Sequence, residues 1–241
     1  MDDDEETFRH RQVTVGGSSL HVVEIGNPEA LPFLFLHGWP ESWQSWQRIM
    51  TIASSQVRAI AIDLPGVGES TGDPTDGSKR QLAATVRGLV EIMGLQDLTM
   101  VGQDIGGMIT YAYLRTFPDL RQAVIMDVVI PGIDPWEQVL RNPYLWHFAF
   151  HAVPELPETL VQGHQVEYFD YFYEAISADG PRLTIATWLP SKSASSSWVA
   201  SCSAGRLRSN STTTCVSRVA HSAVSRSISS TSAPEQRNNW A

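Results

Sequence analysis

The chain has 241 residues, 42% of them hydrophobic and 18% charged, and a formal charge of −9. Apolar runs as dense as residues 31–36 and 57–62 exclude a chain that stays unfolded, and the two cysteines, Cys202 and Cys215, exclude a disulfide scaffold and indicate neither a metal site nor a redox pair. The negative charge, with no basic cluster longer than residues 206–208, argues against a nucleic-acid or anionic-membrane surface.

The opening MDDDEETF is acidic where a secretory signal would be basic and then apolar, and no stretch approaches membrane-span length. The expectation is a soluble, cytoplasmic protein, in which the sequon-like Asn210-Ser211-Thr212 is a chance match. Residues 12–15 and 20–25 flank Gly16-Gly17 and predict a hairpin. The apolar run 31–36 predicts a buried strand ending at His37-Gly38-Trp39-Pro40, followed by a helix over 42–53, a strand over 57–63 and the turn-rich Leu64-Pro65-Gly66-Val67-Gly68. Leu82, Val86, Leu89, Val90 and Met93 recur at helical spacing, and Gly94 stops the run. A strand over 98–102, a helix over 106–117 and a buried strand over 123–130 complete an alternation that implies a parallel sheet covered on both faces.

Residues 131–178 are rich in aromatics, with no convincing strand between them, and predict a helical insertion in which most rings serve packing. After residue 188 the composition changes: residues 189–241 hold 16 Ser, six Lys or Arg and one acid, so this tail carries +5 and the body −14. Two readings stay open for it: out-of-frame translation that replaced a genuine C-terminus, or a real disordered Ser-rich tail. The organisation expected is therefore a core over 1–130, a partial helical cap over 131–188 and the tail over 189–241.

The stretch Val101-Gly102-Gln103-Asp104-Ile105-Gly106-Gly107 reads as strand end, small-x-Asp-x-small, then helix. A sharp strand-to-helix turn needs flanks without bulk, because its central residue is strained and presents its side chain at the sheet edge. The helix N-terminus favours negative charge there, so Asp104 is expected to be ionised and nucleophilic. The alternative is an Asp that only caps the helix. The loop 37–40 ends an earlier strand, where the N–H of Trp39 would complete an oxyanion hole with that of Ile105, unless it is an ordinary Pro-containing loop.

With HGWPESW, DLPGVGES, GQDIGG and IMDVVIPG in this order, the chain resembles the α/β-hydrolase superfamily over about residues 10–180, specifically its Asp-nucleophile branch of epoxide hydrolases and dehalogenases. The resemblance implies an α/β fold with a mostly parallel, eight-stranded sheet covered by helices, a helical cap after the sixth strand, and a C-terminal part of the fold missing from this chain. Haloacetate enzymes of this kind carry arginines just after the nucleophile, where this chain has Ile105 and Met108, and haloalkane dehalogenases place a Trp where Ile105 stands. The motif Trp146-His147-Phe148 with Ala149-Phe150-His151 resembles the cap of an epoxide hydrolase subgroup in which a His replaces one ring-opening Tyr. His147 is then the donor to the opening alkoxide, the alternative being a satisfied core His, and the second donor, a Tyr, falls beyond residue 188.

Asp127, at the end of the sixth strand, matches the position of a charge-relay acid, unless it merely caps the next segment. His37, Pro40, Phe148 and His151 are expected to line the substrate pocket. The base histidine of the family follows the eighth strand; His221 lacks that context, so turnover is expected to be impaired and the uncovered sheet edge to lower solubility. The resemblance and the aromatic cap imply a small, neutral, apolar substrate, with no metal, cofactor, nucleic acid or membrane partner. A dehalogenase acting on neutral haloalkanes, and a non-catalytic hydrolase-like fragment that binds apolar ligands, stay open as alternatives.

Overall fold

Alternation of short apolar runs with amphipathic segments builds a six-stranded sheet in the order β1-β2-β4-β3-β5-β6. The computed structural model describes residues 7–176, apart from 73–76 and Pro154. β1 (Arg9–Val15) and β2 (Ser18–Ile25) form the predicted antiparallel hairpin, with Val15 opposite Ser18 and Gly16 at φ +58 in its turn. β2 pairs antiparallel with β4 (Arg58–Ile62). From there the sheet is parallel through β3 (Pro32–Leu36), β5 (Thr99–Gln103) and β6 (Gln122–Met126).

Helices cover both faces. α2 (Lys79–Ile92) starts at Ser78, whose hydroxyl accepts from the Gln81 N–H, and buries Leu82, Val86, Leu89 and Val90. It lies with α3 (Ile105–Thr116) over Leu34, Leu36, Ile60, Ile62 and Met100. The opposite face is covered by a 3-10 turn, Trp43–Trp46, that runs into α1 (Gln47–Ala53) and buries Trp46 and Met50 against Phe35, Ala59 and Ala61. The single helix expected over 42–53 thus begins as a tighter turn, because Ser42 caps it through the Gln44 N–H.

The strand expected over 123–130 stops at Met126, because Asp127 turns the chain out of β geometry at φ +49. Nor is it buried: Val124 and Ile125 are exposed, since no strand among the described residues pairs with its outer edge. After it, among the described residues, come four α-helices and a 3-10 turn, Pro143–Leu145, without an intervening strand: α4 (Trp136–Leu140), α5 (Trp146–His151), α6 (Leu156–Val161) and α7 (Gln165–Ile176). No helix among the described residues is long and apolar enough to cross a membrane. The tail over 189–241, His221 and the position of the second expected Tyr lie outside the described residues.

Two glycines set how closely α3 meets the sheet. A Cβ on Gly106 would fall on the backbone carbonyls of Leu36 and His37, and one on Gly102 would fall on the Gly106 carbonyl. The obstacles are backbone, which cannot rotate away. Gly106→Ala is therefore expected to cost about 3 kcal/mol, read as a lowered midpoint in urea at unchanged slope.

Candidate active site

Four strands that run the same way bring their C-terminal ends to one edge of the sheet, and each end carries a residue with chemical potential. Asp63 follows β4, the loop 37–40 follows β3, Asp104 follows β5 and Asp127 follows β6.

Asp104 sits between β5 and α3 at φ +50, ψ −119, outside the regions open to most L-residues. The turn closes because its flanks are small: Gly38 lies so near that an added Cβ would come within 2.8 Å of Asp104 Cβ. The carboxylate does not cap α3, as the simpler reading supposed. Its Oδ1 accepts the Trp39 N–H at 2.9 Å, and the neighbouring Ile105 N–H also favours the ionised carboxylate. The two N–H groups assigned from sequence to an oxyanion hole thus converge on one carboxyl group. Burial, the largest influence, raises the Asp104 pKa above the ordinary carboxylate value, against the downward pull of the two donors. The expectation of an Asp ionised by the helix terminus left out this desolvation.

The loop before Trp39 is held from below. His37 does not line a pocket, in contrast to the expectation: its ring is wholly buried, Nδ1–H donates to the Gly38 carbonyl at 2.8 Å, and Nε2 accepts the Leu64 N–H at 3.0 Å. Those two bonds require the neutral Nδ1–H tautomer, and burial lowers its pKa accordingly. Asp63 ties three segments together, taking the Trp43 N–H on Oδ1 and the Glu69 N–H and His21 Nδ1 on Oδ2. His21 Nε2 meets His10 Nδ1 at 3.0 Å.

Above this edge α5 and α7 meet the core around one ring. The Trp39 indole lies parallel to His147, with centroids 6.1 Å apart and planes at 12°, and edge-on to His151 at 4.7 Å and Phe172 at 5.1 Å. His147 Nδ1 is buried with no hydrogen-bond partner among the described residues, and burial lowers its pKa. Phe148 is half-buried, its ring edge-on to His147 and stacked on Trp136. His151 is buried, with Nε2 2.6 Å from the Tyr168 hydroxyl. The Pro40 carbonyl accepts the Tyr173 hydroxyl at 3.4 Å. Asp127 is exposed beside the elbow, where the Asp104 N–H donates to the Met126 carbonyl, and among the described residues no hydrogen bond joins it to a histidine.

Sequence reasoning missed three participants. Asp63 stood within the quoted DLPGVGES without a role; a carboxylate at the end of a buried strand was the available signal. Glu41, within HGWPESW, places Oε2 in the interior unpartnered; burial first, then the charges of Asp104 and Asp127, raise its pKa. Tyr168 was counted only among the cap's packing aromatics, and no local signal marks its hydroxyl for His151.

A model of the α/β-hydrolase fold matches residues 32–197. The soluble epoxide hydrolase of Corynebacterium sp. (strain C12) is 33% identical over 124 residues, which are 52% of this chain and 43% of the relative; the chain thus spans less than half the length of that protein. Among solved structures, Cfl2 from Burkholderia cenocepacia superposes with a TM-score of 0.68 at 34% identity, over 77% of this chain and 65% of that one. The Cif epoxide hydrolase from Acinetobacter nosocomialis superposes with a TM-score of 0.62 at 25% identity, over 69% of this chain and 54% of that one.

Proposed function

The chain belongs to the α/β-hydrolase fold family, and on that premise we propose that it is a hydrolase of the epoxide hydrolase type, in which Asp104 opens a small, neutral, apolar epoxide through an alkyl-enzyme ester. The observation that carries this reading is the Asp104 carboxylate in a strained elbow with Oδ1 on the Trp39 N–H; the likeness to epoxide hydrolases supports it. The free carboxylate oxygen attacks one ring carbon, that C–O bond breaks, and its electron pair leaves on the epoxide oxygen as an alkoxide. Neutral His147 donates a hydrogen bond to that oxygen from the cap. The alkoxide takes its proton from solvent. Water, giving one proton to a base, then attacks the Asp104 carbonyl carbon, and the charge that develops on Oδ1 falls on the N–H groups of Trp39 and Ile105. As the intermediate collapses the ester C–O bond breaks, the departing oxygen takes the proton from the base, and the acid formed returns a proton to solvent. The diol leaves and the carboxylate is restored.

The second half needs a base, for which Asp127 would orient an imidazolium. Among the described residues no histidine is bonded to Asp127, and the chain is expected to stop at the ester. A haloalkane reading is weaker, because Ile105 offers no side-chain N–H for a departing halide.

The test is intact-mass analysis of the full chain after incubation with styrene oxide. The expected result is a gain of one epoxide mass that maps to the peptide holding Asp104 and persists after the reagent is removed. Because only the ionised carboxylate attacks, ester formation is expected to rise with pH through an apparent pKa above 3.8, the direction set by burial. An adduct on another residue, or none from a folded chain, refutes the reading.

A further inference from the structure

α5 is six residues long, too short to keep its own orientation in water, so the direction of His147 is decided by what α5 packs against. Most of its contacts are between rings, including Trp146 on Phe172 and Phe150 on Tyr168, and ring contacts tolerate a range of arrangements. The directional contact is the 2.6 Å hydrogen bond between His151 Nε2 and the Tyr168 hydroxyl of α7. His147 and His151 stand four residues apart and so share one stripe of the helix. Both face Trp39, His147 parallel to it and His151 at 66°. Seating His151 therefore sets the rotation of α5 about its axis, and with it the direction of His147.

The proton in that bond can be placed. Burial, reinforced by His147, brings His151 down to about 4, so its imidazole is neutral at pH 7. Of the two possible donors, a phenol O–H is more acidic than an imidazole N–H, and a short contact suits O–H···N.

We propose that Tyr168 is a positioning residue for the histidines of α5: its O–H donates to His151 Nε2, holds that ring as the Nδ1–H tautomer edge-on to Trp39, and thereby sets the direction of His147, parallel to Trp39. The catalytic consequence rests on the reading of His147 as alkoxide donor; the tautomer and the aim do not.

The experiment compares the full-length chain with Tyr168→Phe, which keeps the ring and removes only the donor. Ring nitrogen shifts are read by long-range proton–nitrogen correlation, and ester formation with styrene oxide by intact mass. In the parent, His151 is expected as Nδ1–H; in Tyr168→Phe that tautomer loses its dominance, the His147 resonances move, and ester formation slows about tenfold. His151→Gln, whose amide oxygen accepts the same O–H, is expected to keep the His147 resonances near those of the parent, which guards against a phenylalanine variant that misfolds. An Nε2–H tautomer in the parent, or unmoved His147 resonances in a folded Tyr168→Phe, overturns the proposal. If the parent forms no ester while the resonances behave as expected, the epoxide reading fails and the positioning role stands.

Discussion

Asp104→Ala is expected to lower ester formation with styrene oxide by at least about 10⁴-fold, to below detection by intact mass, while the protein still folds. The loss is this large because no other carboxylate among the described residues shares the geometry. Asp127 is exposed, with no donor to it among the described residues, and Glu41 is buried with its pKa raised by burial. The strain at φ +50 stays, since Ala also bears a Cβ, but the loss of the acceptor for the Trp39 N–H is offset by the relief of no longer burying a carboxylate. Stability is therefore expected to change by no more than about 1 kcal/mol. The comparison separates covalent chemistry from binding under an aromatic cap: a non-catalytic fragment would bind the probe equally well with or without Asp104, and an adduct that survives Asp104→Ala would refute the assignment.

The largest effect on stability is expected at Asp63. Its side chain is 2% exposed and accepts from the Trp43 N–H, the Glu69 N–H and His21. Asp63→Ala strands all three donors in the interior and frees the segments after β4 and β3 from the hairpin, at a cost of about 3–5 kcal/mol. The pH dependence has two limbs. Burial pulls the His21 pKa down, but the hydrogen bond and charge of Asp63 outweigh it and leave the pKa raised from 6.5, so this contribution is complete below 6.5 and is lost as pH rises through the folded value. Burial pushes Asp63 up, but the His21 and N–H bonds outweigh it and leave the pKa lowered from 3.8, so this contribution is complete above 3.8 and is lost as pH falls through the folded value. The parent is thus expected to draw most from the pair between pH 3.8 and 6.5. Urea midpoints across pH check this: Asp63→Ala is expected to flatten both limbs, and an unchanged profile would refute the assignment.

Much of the fold was legible from the chain because its signals are local. Alternating runs, Gly16 in the hairpin turn, Gly94 after α2, and the small residues around Asp104 each act within a few residues, where backbone sterics and side-chain period decide the outcome. The position of Asp104 between β5 and α3 was readable as well, since a strand-end motif carries its backbone geometry with it.

What the residues alone determined is the alternation of strands and helices, the strained Asp at a strand end and the aromatic character of the cap, all set by short-range pattern and chemistry. What only the tertiary structure decided depends on neighbours far apart in the chain. His37 turned inward because Leu64, 27 positions away, supplies its hydrogen bond. His151 paired with Tyr168 because α7 folds back over α5. Val124 and Ile125 stand exposed because, among the described residues, β6 takes the sheet edge. The proton affinity of Asp104 follows the same rule, since desolvation measures how much of the whole fold surrounds a charge, and no window of sequence contains that quantity.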